Sequence, residues 1–207
     1  MNSVYVVFAR TDLKVGRMIR IMTRNRYNHV AISLDGMKTL CSFSRLYINH
    51  PLVGGFVEES PNRYLLSDKC YIKTVRIDVD NKTYAALKER VESMQRKSRE
   101  YVYNYMSAAA YILGMRIERE HAYTCVEFVS DALERSGILK GCGGSRVEIS
   151  ELERALSTYG CREAAASEIF KRVGRVGWGS DVYLRHLGRI AAAKEALRRF
   201  GAMVRSA

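Results

Sequence analysis

Most of the extended segments of this chain fall in its first 80 residues, and helical periodicity dominates the remainder. Residues 4–8, Val-Tyr-Val-Val-Phe, form a continuous apolar run of strand length. Residues 29–34 and 37–44 alternate around Asp35-Gly36, a pair that signals a two-residue hairpin turn. Another strand is predicted over 71–79, where Ile72, Val75 and Ile77 are apolar. The stretch 46–68 reads as a long loop with one short extended piece near Phe56. Strands followed by helices, instead of alternating with them, point to an α+β architecture.

The helical part begins at Asn81, a capping residue before the stripe Tyr84, Leu87, Val91 and Met94. A second helix is predicted over 101–113, with Tyr101, Tyr105, Ala108 and Ile112 on one side. These tyrosines read as core, not as a platform for stacking bases. A third helix opens at Thr124 and stops at Ser136-Gly137. Ser150 and Glu153 suit a capping box for a short helix reaching about Tyr159. Before these, Val15, Met18, Ile19 and Met22 recur at helical spacing, with Arg17, Arg20 and Arg24 on another side. Near the end, Gly174, Gly177 and Gly179 surround Trp178 and read as a hinge into a last helix over about 180–203. The expected organisation is a main domain, 1–172, and a hinge plus helix, 173–207.

Composition narrows the function classes. The 207 residues are 47% apolar and 27% charged, an ordinary globular balance. Five cysteines occur without a Cys-x-x-Cys pair, so structural zinc is not expected, nor any other metal or cofactor. The odd count and the lack of a secretory leader pattern predict a reduced, cytoplasmic protein. Net charge is +12, and residues 171–205 hold nine Lys/Arg against Asp181 and Glu195. That basic end predicts an anionic partner or self-association. Its helix would set Tyr183, Leu187 and Ile190 on an apolar side and Arg185, Arg189 and Arg199 on a basic one.

Cys125 stands apart from the other cysteines. Thr124-Cys-Val-Glu127 has the capping-box pattern, with Cys125 at the first helical position. Free backbone N–H groups and the positive end of the helix dipole favour a thiolate there. His29 supplies a base. It shares a strand face with Ala31 and Ser33, small neighbours that leave room for a helix end, while Val30, Ile32 and Leu34 face the core. With Asp35-Gly36 as the whole loop, His29 falls opposite Ser42, about 4.5 to 5.5 Å away at Cβ. Ser42 is then the residue expected to orient the imidazole. Glu58 and Glu59 are alternatives from the long loop, and Cys41 would take the place with a one-residue bulge. His121, four residues before Cys125, is the rival base.

Tyr27-Asn-His-Val-Ala-Ile-Ser-Leu34 and Tyr123-Thr-Cys-Val-Glu-Phe-Val129 together resemble the circularly permuted papain-like hydrolases of the NlpC superfamily, in particular the YaeF/YiiX type. Residues 5–26 are similar to their opening strand and basic helix, and the likeness covers roughly residues 4–135. It implies an antiparallel sheet packed against the cysteine-bearing helix. It also implies a cysteine amidase or peptidase working without metal through a thioester, with Cys125 as nucleophile and His29 as base. Ser42 departs from the family's usual Glu, Gln, Asn or His at the third position. The Cys125 backbone N–H is the expected oxyanion donor. Two other readings stay open. One is lipid acyl hydrolysis or transfer of the lecithin retinol acyltransferase kind; the other is a non-catalytic basic module for nucleic acid or anionic membrane.

Overall fold

The computed structural model describes residues 1–12, 17, 20, 25–110, 117, 119–141, 148–171, 183 and 186–205. Apart from Arg17 and Arg20, the helix expected over 15–24 lies outside the described residues, as do Ile112, Cys142, Arg185 and the Gly174–Gly179 hinge with Trp178.

Eight strands make one sheet: β1 (Asn2–Arg10), β2 (His29–Ser33), β3 (Leu40–Tyr47), β4 (His50–Glu59), β5 (Tyr71–Val79), β6 (Val102–Tyr103), β7 (Ala122–Tyr123) and β8 (Gly160–Ala165). Their spatial order is β7-β6-β4-β3-β2-β1-β5-β8. All pairs are antiparallel except β6 with β7. The helices are α1 (Asn81–Arg96), α2 (Tyr105–Ala110), α3 (Cys125–Arg135), α4 (Ile149–Ala155), α5 (Ala166–Phe170) and α6 (Arg189–Arg205). The α+β reading holds.

Helices cover both faces of the sheet. Val4, Val6 and Phe8 of β1, Val30 and Ile32 of β2, and Val75 and Ile77 of β5 pack against α1, α3 and α4 through Leu87, Val91, Phe128, Val129 and Leu152. The intervening residues Val7, Ala9, Ala31 and Ile72 pack on the other side against Tyr64, Ile169 and Phe170. Strand alternation thus feeds two cores, which explains why β1 reads as continuously apolar.

Several local expectations shift. Asp80, not Asn81, caps α1 by accepting the Thr83 N–H at 2.7 Å. Residues 101–113 do not form one helix: Tyr101 precedes β6, and α2 starts at Tyr105. Glu153 does not serve a cap but binds Lys73 at 2.6 Å, and α4 is capped from Glu148, whose N–H donates to Glu151 at 2.8 Å. Strand β8 has no counterpart in the sequence reading. Its four outermost residues are exposed, so no apolar alternation marks it.

The largest departure is the supposed loop 46–68, most of which is the ten-residue strand β4 and a 3-10 turn, Pro61–Leu65. Gly54-Gly55 disguises the strand. A Cβ on Gly54 would stand 2.5 Å from the Tyr105 hydroxyl, and one on Gly55 would stand 2.5 Å from both Arg199 Nη1 and the Tyr101 carbonyl oxygen. The glycines are there so that other backbone and side chains can approach the strand closely. Gly55→Ala is expected to cost about 1 to 3 kcal/mol, read from the denaturant midpoint, because the rigid Tyr101 carbonyl cannot yield.

That contact also corrects the picture of the last helix. Arg199 is not on an exposed basic side: its side chain is buried, with Nη1 donating to Gly54 O at 3.0 Å and Tyr101 O at 3.3 Å. Helix α6 is seated on β4 and β6 by this contact and by Ala202 against Val102 and Ala122. Ahead of it, Ile48 donates its N–H to Tyr183 O at 3.0 Å, and the His50 ring contacts Leu187 O at 2.6 Å. No helix among the described residues is long and apolar enough to cross a membrane.

Candidate active site

Cys125 and His29 are each the first residue of their element, and the two element ends converge. The N-terminus of α3 is held rigidly. Thr124 accepts the Glu127 N–H at 3.3 Å, and Glu127 accepts the Thr124 N–H at 2.6 Å, completing the capping box read from the sequence. The other Glu127 oxygen accepts from Ser107 at 2.7 Å. Asn104 ties Ser107 in turn, accepting its N–H at 2.9 Å and donating to Ile117 O at 2.8 Å. Behind the cap, Phe128, Val129, Ala132 and Leu133 are wholly buried. The thiol is thus presented from a helix whose first turn has little freedom to move.

The body of α3 packs on the Val30/Ile32 side of β2, the side expected to face the core. The meeting occurs at the start of the strand, where the Cys125 thiol lies near enough to the His29 ring to favour its protonated form. Cys125 is 7% exposed, and the His29 side chain 12%.

Ser42 does not reach the imidazole. Its hydroxyl is fully buried and donates to Val30 O at 2.7 Å. The cause is the turn. Asp35 accepts the Lys38 and Thr39 N–H groups at 3.1 and 3.0 Å and the Ser33 hydroxyl at 2.8 Å, stabilising a longer loop in which both Gly36 and Met37 have positive φ. The register becomes Ile32 opposite Cys41, and counting back sets Ser44, in place of Ser42, level with His29.

Glu59 takes the third place. His29 Nε2 donates to its Oε2 at 3.0 Å. The same carboxylate accepts from Ser44 at 2.6 Å, from Arg63 at 3.2 Å and from the Tyr64 hydroxyl. The 3-10 turn supplies the last two: Ser60 caps it, Pro61 starts it, and Arg63 and Tyr64 fold back onto Glu59. Ser60-Pro61 was the signal in the sequence that could have revealed this turn. The Tyr64 ring also lies against the imidazole, with centroids 6.3 Å apart.

Charge follows the geometry. Burial alone would lower the His29 pKa, but the Glu59 charge and hydrogen bonds to Cys125 and Glu59 outweigh it and raise it to about 10. Burial would raise that of Glu59, yet His29, Arg63 and Ser44 hold it well below the ordinary carboxylate range. The pair is therefore an imidazolium and a carboxylate at neutral pH. Burial, with the charge of Cys125 added, keeps Tyr103 neutral beside the thiol.

The other candidates are elsewhere. Glu58 faces α1, where Gln95 donates to it at 2.7 Å. Cys41 and Cys70 have thiols pushed up to about 12, chiefly by burial, and are poor nucleophiles. His121 is exposed and its ring packs edge-on against Tyr101, with centroids 5.1 Å apart. Among the described residues, no group of three or more His, Cys, Asp or Glu could hold a metal. In comparisons with known proteins, no family model, curated protein or solved structure matches the chain.

Proposed function

We propose that the protein is a cysteine hydrolase that cleaves an amide bond through a thioester, in the manner the papain-like resemblance implies. The observation that carries this reading is the chain of contacts Cys125–His29–Glu59, with the thiol at the first position of a capped helix. In the resting enzyme the Cys125 proton is already held by the His29 imidazolium, and the thiolate attacks the acyl carbon. The oxygen of the tetrahedral intermediate gains charge, and the Cys125 N–H, at the first position of the helix, donates a hydrogen bond to it. The imidazolium then protonates the departing nitrogen, and the C–N bond breaks. Water, deprotonated by His29, attacks the thioester, releasing a carboxylic acid and restoring the thiolate beside a protonated His29. An imidazolium stabilised by Glu59 suits an amide in particular, since an amine leaves only once protonated.

Alkylation tests the nucleophile. Iodoacetamide at neutral pH is expected to label Cys125 ahead of Cys41 and Cys70, and His29→Ala to slow that labelling. Faster labelling of Cys41 in the native protein would overturn the assignment.

The pH dependence has a definite sign. The raised His29 pKa contributes stability that is complete below its ordinary value of 6.5 and is lost as pH rises through about 10. The depressed Glu59 pKa contributes stability complete above its ordinary 4.5 and lost as pH falls further. Thermal unfolding is expected to peak between those ordinary values as far as this pair is concerned. Turnover should decline above about pH 10, where the proton donor is gone, while alkylation of Cys125 persists. A parallel fall of both rates would show loss of the fold instead.

A further inference from the structure

Helix α6 has two faces, and the seating of one fixes what the other presents. Ala192, Arg199 and Ala202 turn inward to β4 and β6. Ile190, Ala193, Leu197, Phe200 and Val204 turn outward, recurring at alternate steps of three and four residues, so they form one straight ridge. Its large members are far from covered: Ile190 is 76% exposed, Leu197 72%, Phe200 58% and Val204 49%. Leu52, 65% exposed, lies two residues past His50, the residue that contacts Leu187 O just ahead of the helix. Exposed Arg189, Lys194 and Arg198 flank the ridge, and the one acid on the helix, Glu195, is taken up by Arg198 and Arg199.

We propose that this outward face of α6 binds the surface of an anionic lipid bilayer, with the ridge entering the interface and the flanking cations meeting the headgroups. The proposal is independent of the catalytic reading. A ridge on the order of 500 Å² is as large as the apolar patches that mark interaction sites on monomers. It falls short of the roughly 800 Å² per partner that a stable protein interface buries. Pairing with a second copy would also bring the cations that flank the two ridges together with no acid on the ridge to meet them. A bilayer removes both difficulties. It receives a convex ridge without a matching groove, and its phosphates supply negative charge along the whole helix. The long Arg and Lys side chains can keep their heads at the phosphates while their stems lie along the apolar face. Net charge of +12, with +7 carried by residues 171–205, draws the protein to the surface with this end leading.

Flotation of the full chain with vesicles tests it, using phosphatidylglycerol mixed with phosphatidylcholine against phosphatidylcholine alone. The wild type is expected to float with the mixed vesicles and not with the neutral ones. Leu197→Ser with Phe200→Ser, which leaves net charge unchanged, is expected to weaken that binding at least about tenfold without lowering the melting temperature. Should that double variant melt early, Ile190→Ser, at the most exposed position, takes its place. Three results would overturn the proposal. One is no binding to mixed vesicles. Another is equal binding by wild type and a folded serine variant, which would reduce the effect to net charge. The third is a dimer seen by light scattering that the serine substitutions dissolve, which would make the occupant a second copy.

Discussion

Glu59→Gln is expected to lower turnover about 10,000-fold, the loss found when a buried carboxylate that orients a catalytic histidine is turned into an amide. The amide has nearly the same shape, so packing survives. Its charge and half of its accepting capacity do not. Four donors converge on Glu59, from His29, Ser44, Arg63 and Tyr64, and the glutamine nitrogen can accept from none of them. The imidazolium, one of those donors, would lose the carboxylate it faces. Loss of one partner from such a cluster costs about 3 to 5 kcal/mol. The reading that separates orientation from mere stability is His29 itself. Its titration, followed by NMR, should fall from about 10 in Glu59→Gln. Ser42→Ala should leave it in place and cost only about 1 to 3 kcal/mol, for the lost bond to Val30. An unmoved His29 titration in a folded Glu59→Gln variant would remove Glu59 from the site.

Cys125→Ala is expected to abolish labelling by acyl-directed electrophiles and to cut hydrolysis by at least about 10,000-fold, since the thiolate makes and breaks the covalent bond. The fold should survive. The capping box uses Thr124 and Glu127, not Cys125, and the buried stripe behind it is untouched. Mass spectrometry of the wild type with substrate should show the acyl adduct on Cys125, and none on the alanine variant. Residual turnover equal to that of the wild type would refute thiol catalysis whatever the labelling showed.

Which parts of this site were legible in the sequence depends on how local each is. The Cys125 helix start was readable because Thr124 and Glu127 find each other within one turn, and short-range patterns of that kind survive any tertiary context. His29 was readable as the first residue of an alternating strand. The orienting residue was readable only as Ser42 with Glu58, Glu59 and Cys41 as alternatives, because the choice depends on a strand register and on a turn. Asp35-Gly36 suggests a minimal hairpin, but Asp35 finds better use for its carboxylate in bonding Ser33, Lys38 and Thr39, and two residues of slip exchange Ser42 for Ser44. Gly54-Gly55 hid β4 for a similar reason. What makes those glycines necessary is packing by Tyr101, Tyr105 and Arg199, residues remote in sequence. Arg199 itself was read as a surface cation because a buried guanidinium is betrayed only by the carbonyls it meets.

The two ends of the sheet bear on how the protein behaves when crowded. An open strand invites another molecule to pair with it and begin a fibre, and among the described residues this sheet does not close into a barrel. At one end β7 is two residues long, too short to template a neighbour. At the other, β8 sets Arg162 and Glu163 along the free margin, tied outward to Glu168 and Arg26. An incoming strand would have to strip those charges of water and partners before its first hydrogen bond formed. The same exposed polar residues that conceal β8 in the sequence therefore act as a guard against edge-to-edge aggregation.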